Sequence, residues 1–479
     1  MKKILCVFLA VMLVLGLCAC GGEGGSEQGG SNTSAGLQVG FGREKIMPTE
    51  PVNISGGGDA SRISEGYLDI LYTTCIAITD EAGETVLIYT QDLQQVSESF
   101  AGPAKKEISQ ATGVPQEKIM IAATHTHSVP SQSLSKLGIE AYFPIYKEGM
   151  VKAAQAAMAD RSAATVSVGS TKADGYVFVR HYKISNGTYA GPSYGNFGAG
   201  TNEGHAYDAD TELQLIKFTR AAEDKKDIVL MNLGAHATFF SATTYKQLSA
   251  DFPGPTRDYI EANSDCLVAY FMAAAGDQTP DTKMAELEHG LDYKGYGEAI
   301  GKLVVDALPN MTPVEGGNIN LLQKTYNIPT NTRGQDKLEQ AKEVYNLYTS
   351  GSGKVAADAL AAQYGFISVY EARAIVNNHN RGASTDISLH ALSIGDISFI
   401  FAPYEMFSAN GRQIKDGSPY KDTTTFVITQ ANATVDYIPA EMGYVMDCYE
   451  AYTSLANKGT GEDLAKTFID MLTQLKNGQ

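Results

Sequence analysis

Short runs of consecutive apolar residues recur along this chain, and they constrain its fold more than any other feature. Residues 119–123 (IMIAA) contain no polar residue, which is typical of a strand covered on both faces. Helix-like segments lie between these runs, and such alternation indicates an α/β fold with a partly parallel sheet. Seven runs are predicted to be strands, at residues 84–92, 118–123, 212–218, 227–235, 266–275, 396–402 and 424–430.

The segments between the runs complete the predicted architecture. Helices are predicted at residues 103–112, 143–159 and 297–308, and a helical insert rich in Ala, Glu and Gln spans residues 334–377. Gly113 is a plausible stop for the first helix. Residues 183–208 are rich in Gly, Tyr, Asn and Ser and predict a long surface loop. We therefore expect a central mixed, partly parallel sheet covered by helices in one large domain.

The beginning of the chain differs in composition from the rest. Lys2 and Lys3 precede an apolar segment at residues 4–17, which predicts a signal peptide over residues 1–19. Its ending, Leu-Cys-Ala-Cys, resembles a bacterial lipobox, and that resemblance implies a lipid on Cys20. Residues 20–37 are rich in Gly and Ser and predict a flexible tether to a domain at residues 38–479. We expect an extracytoplasmic protein that is lipid-anchored to the bacterial cell membrane through Cys20.

Charge and cysteine content exclude several classes of protein. The formal net charge is −17, and removal of Lys2 and Lys3 with the signal peptide lowers it to −19. Such a chain is not expected to bind nucleic acid or to dock electrostatically on anionic lipid. Three cysteines remain besides Cys20 and the signal peptide, which is too few for a disulfide framework: Cys75, Cys266 and Cys448.

Polar residues follow five of the predicted strands. The carboxyl ends of parallel neighbours meet at one edge of a sheet, so we expect these residues to converge if the strands share one sheet. Two imidazoles in His-Thr-His would point to the same side of an extended chain. Nitrogen and oxygen ligands of this kind suit zinc with one position left open. The residues are His125 and His127, His236, the segment 276–280, Glu405, and Tyr437.

The sequence resembles the N-terminal catalytic domain of the neutral/alkaline non-lysosomal ceramidase family. The most specific matching motif is residues 121–128 (IAATHTHS), preceded by 112–115 (TGVP). We expect no counterpart of the C-terminal sandwich domain of typical ceramidases, so the resemblance implies a shortened lipoprotein member. Other matches follow in family order at residues 39–48 (VGFGREKIMP), 233–236 (LGAH), 249–254 (SADFPG), 275–280 (AGDQTP), 403–405 (PYE) and 437–451 (YIPAEMGYVMDCYEA).

The resemblance implies a set of metal ligands. It implies a Zn²⁺ ion held by His125, His236, Glu405 and Tyr437. Two of these residues have alternatives. Tyr444 lies seven positions after Tyr437 and is a second candidate for the tyrosine ligand. Glu405 is also placed to cap a predicted helix at residues 406–415, whose N-terminus favours negative charge.

The resemblance implies three further catalytic residues. His127 would carry protons beside the metal, and Arg180 would face the substrate. Thr279 stands where the family has a serine, although a threonine before Pro280 is also an ordinary turn residue. The other histidines have no supporting neighbours in the sequence and are expected to be structural: His181, His205, His289, His379 and His390.

Two functions of different classes follow. The first is a membrane-tethered, zinc-dependent amide hydrolase that cleaves an N-acyl linkage, in N-acylsphingosine or another lipid or small-molecule amide. The second is a non-catalytic surface lipoprotein that uses the same fold to bind a ligand, with a structural or decayed metal site. The complete His, His, Glu and Tyr set favours the hydrolase, because binding alone needs no open metal position.

Overall fold

The computed structural model describes residues 36–56, 62–191, 200–241, 243–280 and 290–478. The predicted signal peptide, the lipidation site at Cys20 and most of the tether lie outside these residues. Residues 35–479 form one compact unit. In the described part of the chain, every helix is too short or too polar to cross a membrane.

A nine-stranded mixed sheet forms the first half of the fold. Its order is β8-β7-β6-β5-β1-β2-β3-β4, and β9 pairs with β5 beside this path. The pairs β3–β4 and β7–β8 are parallel, and the other pairs are antiparallel. The strands are β1 Leu37–Lys45, β2 Tyr72–Asp80, β3 Thr85–Gln91, β4 Ile119–Ala123, β5 Ser162–Lys172, β6 Glu212–Arg220, β7 Asp227–Leu233, β8 Cys266–Met272 and β9 Thr312–Val314.

A four-stranded sheet of order β10-β11-β12-β13 forms the second half. Its β12–β13 pair is parallel, and the other pairs are antiparallel. The sequence predicted β12 and β13 but not the long, partly polar strands β10 and β11. The strands are β10 Ile319–Pro329, β11 Ser384–Ile394, β12 Ile397–Phe401 and β13 Thr424–Ile428.

Eleven α-helices occur among the described residues. The expected helices are confirmed, with bounds that shift by a few residues, and Gly113 caps the first one in the left-handed conformation. They are α1 Glu98–Thr112, α2 Ile139–Ala159, α3 Pro253–Asn263, α4 Tyr293–Ala307, α5 Leu338–Leu347, α6 Gly353–Gln363, α7 Val369–Arg381, α8 Ser408–Gly417, α9 Glu441–Met446, α10 Tyr449–Thr453 and α11 Thr460–Lys476.

The two sheets pack face to face between layers of helices. One apolar cluster combines residues of the nine-stranded sheet, such as Ile76 and Ile88, with Phe399 and Phe426 of the four-stranded sheet. The opposite face of the first sheet packs on α1 and α2 at one end and on α3 and α4 at the other. The outer face of the second sheet packs on α8 and α11. The expected mixed sheet covered by helices is confirmed.

One segment after β13 joins the strand ends of both sheets. The amide of Thr429 donates to the carbonyl of Met272 at 3.1 Å, and the amide of Asn432 donates to Ile121 at 2.7 Å. These bonds bring the ends of β8 and β4, the two edges of the nine-stranded sheet, next to β13. The expectation of one shared sheet edge is therefore wrong in one respect. Glu405 and Tyr437 follow strands of the second sheet, and sheet packing brings them to the histidines.

The described part of the segment 183–208 is not the plain loop that its composition predicted. Short strands at Tyr182–Ile184, Tyr189–Ala190 and Asn202–His205 pair into a small antiparallel sheet. Residues 185–188 form its first turn, where Gly187 has a φ of 83°. Alternating Tyr and small polar residues therefore gave too weak a pattern to reveal these strands.

Candidate metal centre and active site

His125 and His127 lie just beyond the end of β4. His125 is not extended as predicted, because its φ of 64° is in the left-handed region. Its amide donates to the carbonyl of Leu93 at 3.0 Å, and its ring Nδ1 lies 2.6 Å from the carbonyl oxygen of Gln94. The surrounding chain thus fixes a conformation that is unfavourable for a residue with a side chain, as is common at functional sites.

His236 meets His125 from the end of β7. Its Nδ1 lies 2.8 Å from the carbonyl oxygen of Ala275, and its Nε2 lies 3.0 Å from Nε2 of His125. A carbonyl can only accept, so each Nδ1 carries the proton, and in neutral imidazole each Nε2 is then an unprotonated acceptor. Two facing lone pairs this close call for a cation between them, and imidazoles anchored through Nδ1 are typical of metal ligands.

Glu405 supplies a carboxylate to the same point. Its Oε2 lies 3.2 Å from Nε2 of His125 and 3.3 Å from Nε2 of His236. The alternative that Glu405 caps the following helix is wrong. That helix is α8, and Asp277 accepts from the amide of Ser408 at 2.7 Å at its start. Because Asp277 serves as the cap, the Glu405 carboxylate faces the two histidines.

Tyr437 also reaches this group, whereas Tyr444 does not. The Tyr437 hydroxyl lies 3.4 Å from Nε2 of His236. The Tyr444 hydroxyl instead donates to the carbonyl of Ala456 at 2.7 Å and lies 3.3 Å from the Ser454 hydroxyl. Of the two candidates, the structure therefore brings only Tyr437 into the group.

His127 completes a group of three imidazoles. Its Nε2 lies 3.1 Å from Nε2 of His125, and it is less buried than His125 and His236. One ring nitrogen from each of the three histidines lies within 4.8 Å of the others, so the group could hold a metal ion. His127 is the member that lines an open cavity, which suits contact with a substrate.

Arg180 lies behind Tyr437 and is held by Glu450, for which the sequence predicted no role. Nη2 of Arg180 donates to the Tyr437 hydroxyl at 3.2 Å and to the carbonyl of Gly276 at 2.7 Å. Its Nε donates to Oε1 of Glu450 at 2.9 Å, and the two side chains form a buried ion pair. Glu450 belongs to a matched motif, but nothing in its local pattern indicated a partner 270 positions away.

Burial and neighbouring charges shift the pKa values in this site. Burial, with the charges of Arg180 and His125, lowers the pKa of His236 to about 4, so its ring is neutral near pH 7. Burial raises the pKa of Glu405, but the two histidines outweigh it and hold that pKa well below its usual value. Burial and Glu405 raise the pKa of Tyr437. A neutral His236 ring beside an ionised carboxylate provides donors that suit a divalent cation.

The family model for the N-terminal domain of neutral/alkaline non-lysosomal ceramidase matches residues 37–355, which is more than half of the chain. The chain belongs to this ceramidase family. Two solved structures share its fold, a ceramidase complexed with C2 and the neutral ceramidase from Pseudomonas aeruginosa. Each has a TM-score of 0.68 at 16% sequence identity, over 92% of this chain and 75% of the other. A comparison with curated proteins gives no match.

Family membership supports a ceramidase-like hydrolase, and a cavity of about 690 Å³ provides room for a substrate. His127, Glu405 and Tyr437 form part of its lining. A further wall comes from α5, the turn after α5 and α7, of which only α7 lies beyond the matched residues. The residues of that wall are Tyr345, Tyr348, Thr349, Arg373, Ala374, Asn377 and Arg381.

Thr279 follows Gln278, whose carbonyl accepts from the amide of His236 at 3.3 Å. It belongs to a two-residue strand, Gln278–Thr279, which pairs with Phe178–Val179 just before Arg180. Its side chain is buried, and Thr279 interacts with other residues of the protein. Its catalytic role therefore stays a prediction.

His181 does have the neighbours that the sequence did not reveal. Its Nε2 lies 3.4 Å from Oε2 of Glu450, and His181, Cys448 and Glu450 form a second buried group of possible metal ligands. Burial lowers the pKa of His181 to about 4. His289 lies outside the described residues, and the other three histidines are absent from both groups.

The Arg180–Glu450 pair gives a stability prediction. The Glu450 side chain is fully buried and that of Arg180 is 12% exposed, so Glu450→Gln would leave a buried cation without its counter-charge. We expect a loss of about 3–5 kcal/mol in the free energy of unfolding, measured by urea denaturation. The control is Glu148→Gln, which breaks an exposed pair with Lys152 and should leave the free energy of unfolding nearly unchanged. Equal losses in the two variants would contradict the prediction.

Proposed function

We propose that this chain is a zinc-dependent amide hydrolase that cleaves the N-acyl linkage of an amide-containing lipid or small molecule. One observation carries the proposal. Nε2 of His125, Nε2 of His236 and Oε2 of Glu405 lie 3.0–3.3 Å from one another, while both Nδ1 atoms face carbonyl oxygens. Without a cation, this arrangement sets two lone pairs and a carboxylate against each other. With a cation between them, both lone pairs and the carboxylate have a partner.

The ion would be held by His125, His236, Glu405 and Tyr437. Nitrogen and oxygen donors of this number suit zinc, which is commonly four-coordinate. Bound Zn²⁺ lowers the pKa of a coordinated water to about 7 and can polarise a substrate carbonyl. An amide needs this assistance, since its carbonyl is a poor electrophile and its nitrogen a poor leaving group.

The remaining residues would act around that centre. His127 lines the cavity with its Nε2 close to His125, where it can accept a proton from the attacking water and return one to the leaving amine. Arg180 donates to the Tyr437 hydroxyl and so fixes the direction of its oxygen. Together, Arg180 and the tyrosine hydroxyl provide positive charge and a donor for the developing oxyanion.

The location of the protein is a separate proposal. The signal peptide at residues 1–19, the lipobox-like ending and the Gly/Ser-rich tether at residues 20–37 support export and a lipid anchor on Cys20. The mature charge of −19 leaves no electrostatic route to anionic lipid. Fractionation of cells that produce the wild-type and Cys20→Ala chains would test this, since only the wild type should remain with membranes.

Metal removal tests the enzymatic proposal. We expect about one zinc ion per chain by elemental analysis, and hydrolysis of at least one substrate in a panel of N-acylsphingosines and short N-acyl amides. Chelation should abolish turnover, and added Zn²⁺ should restore it, because the ligands remain in place. Absence of both bound zinc and turnover would contradict the proposal and favour a binding module on the same fold.

A further inference from the structure

The cavity beside the candidate metal centre is rich in cations, although the chain as a whole is strongly acidic. Lys136, Arg373 and Arg381 line it, in a chain of formal net charge −17. Its only acidic lining residues in the described part of the chain are Glu405 and Asp436. Basic residues therefore outnumber acidic ones in this lining, and low-dielectric walls strengthen the effect of such charges on a ligand.

The two acidic residues of the cavity are already engaged. Glu405 faces His125 and His236, and Asp436 accepts from Nη2 of Arg381 at 3.2 Å. Arg373 and Lys136 have no ion pair with any residue that the structure describes. Arg373 is half-buried on α7, so its side chain is partly removed from water without a counter-charge. A partly buried cation without a counter-charge destabilises the protein on its own, and a bound anion would supply that counter-charge.

A row of aromatic rings connects Arg373 to the candidate metal centre. Its Cζ lies 5.1 Å from the centroid of the Tyr370 ring, and Tyr370 is 5.8 Å from Tyr449. The Tyr449 ring is in turn 6.0 Å from that of Tyr437. Two rings therefore separate the guanidinium from the hydroxyl that faces His236. A substrate with its amide at the histidines would extend along this wall towards Arg373.

The rest of the cavity lining suits a polar ligand. Side chains that carry amide or hydroxyl groups predominate, among them Asn53, Ser55, Gln94, Gln95 and Asn377. Pockets for purely apolar ligands are instead lined mostly by aliphatic and aromatic groups. A neutral amide with two long alkyl chains would bring no counter-charge to Arg373 and Lys136.

We infer that the substrate is an N-acyl amide that bears an acidic group, a carboxylate, sulfonate or phosphate, and that Arg373 binds this group with help from Lys136. The inference rests on the proposed hydrolase function. Arginine suits the role because its planar fork matches an oxyanion with two parallel hydrogen bonds. Arg373 would then determine specificity without taking part in the chemistry.

Matched substrates test the inference on the zinc-loaded protein. N-dodecanoyl glycine and N-dodecanoyl taurine are compared with N-dodecanoyl ethanolamine, and phosphorylated N-dodecanoyl sphingosine with its unphosphorylated form. We expect kcat/KM to be at least about tenfold higher for one or more acidic members, with the best one identifying the anion. This magnitude corresponds to one charge-assisted hydrogen bond.

Variants then assign the preference to Arg373. Arg373→Gln should lower the ratio of acidic to neutral kcat/KM by about 10–100-fold, and Arg373→Lys by less, because it keeps the charge but loses the fork. The control is Arg412→Gln, which removes an arginine outside the cavity and should leave the ratio unchanged. A wild-type preference for neutral amides, or an unchanged ratio in Arg373→Gln, would overturn the inference.

Binding separates this inference from the hydrolase proposal. Calorimetric titration with N-dodecanoyl glycine should show at least tenfold tighter binding to the wild type than to Arg373→Gln, whether or not turnover occurs. Arg373-dependent binding without hydrolysis of any amide would refute the hydrolase and retain an anion-selective cavity. Hydrolysis of neutral amides without Arg373-dependent binding would retain the hydrolase and refute the anion-selective cavity.

Discussion

His125→Ala is expected to abolish zinc retention and amide hydrolysis together. Nε2 of His125 is at the centre of the group, 3.0 Å from His236, 3.1 Å from His127 and 3.2 Å from Glu405. Its removal would open one coordination position and also leave the Glu405 carboxylate with a single imidazole neighbour. We expect kcat/KM to fall by about 1,000-fold or more, because the metal contributes several kcal/mol to the transition state.

Elemental analysis of the purified variant and its steady-state kinetics measure the two effects side by side. The matched control is His379→Ala, which removes an exposed imidazole that belongs to neither histidine group. It should keep both zinc and turnover. Circular dichroism and a thermal melt establish that His125→Ala is folded, and His236→Ala should reproduce its phenotype. Full zinc occupancy with near-normal turnover in the folded His125 variant would remove His125 from the metal site.

The parts of the fold that the sequence predicts are those with a local signal. Continuously apolar segments such as Ile119–Ala123 are buried on both faces, so composition alone identifies them as strands. Strands β10 and β11 expose one face in part, and their mixed composition resembles that of a loop or helix. The family resemblance and the polar strand ends together located the histidines, Glu405 and Tyr437.

The sequence could not specify how those strand ends meet. Side-chain periodicity determines which face of a strand is buried, but not which sheet the strand joins. Glu405 and Tyr437 therefore reach His125 through the packing of two sheets and not along one edge. The same limit hid Glu450, since an ion pair with Arg180 across 270 positions leaves no periodic trace. Only the assembled fold reveals such partners.

Backbone strain is concentrated where the strand ends meet. Non-glycine residues with positive φ include His125 at 64°, Gln430 at 51°, Asn432 at 65° and Asp436 at 67°. Each such conformation costs about 1–3 kcal/mol, which the surrounding packing and hydrogen bonds must offset. Asn432 shows how this is done, because its Oδ1 accepts from the amide of Ile121 at 3.0 Å. Such hydrogen bonds and packing thus hold the strained residues of the candidate site in place.

His127→Ala is expected to lose most turnover while it retains most of the zinc. The proposed ligands remain intact in this variant, since Nε2 of His127 contacts His125 from the cavity side. What disappears is the group proposed to move protons between water and the leaving amine. General acid–base catalysis contributes about 100–10,000-fold, so kcat should fall by that factor. Elemental analysis and kcat measured at saturating substrate give the two quantities.

Proton transfer can be distinguished from a merely structural role. If His127 moves protons, the variant should lose the corresponding limb of the pH profile of kcat/KM, and added imidazole should restore part of the rate. A packing defect would show neither effect. The histidine group leaves one alternative, since all three rings lie within ligand distance of one another. Loss of zinc in parallel with turnover would make His127 a metal ligand, because only a ligand couples the two.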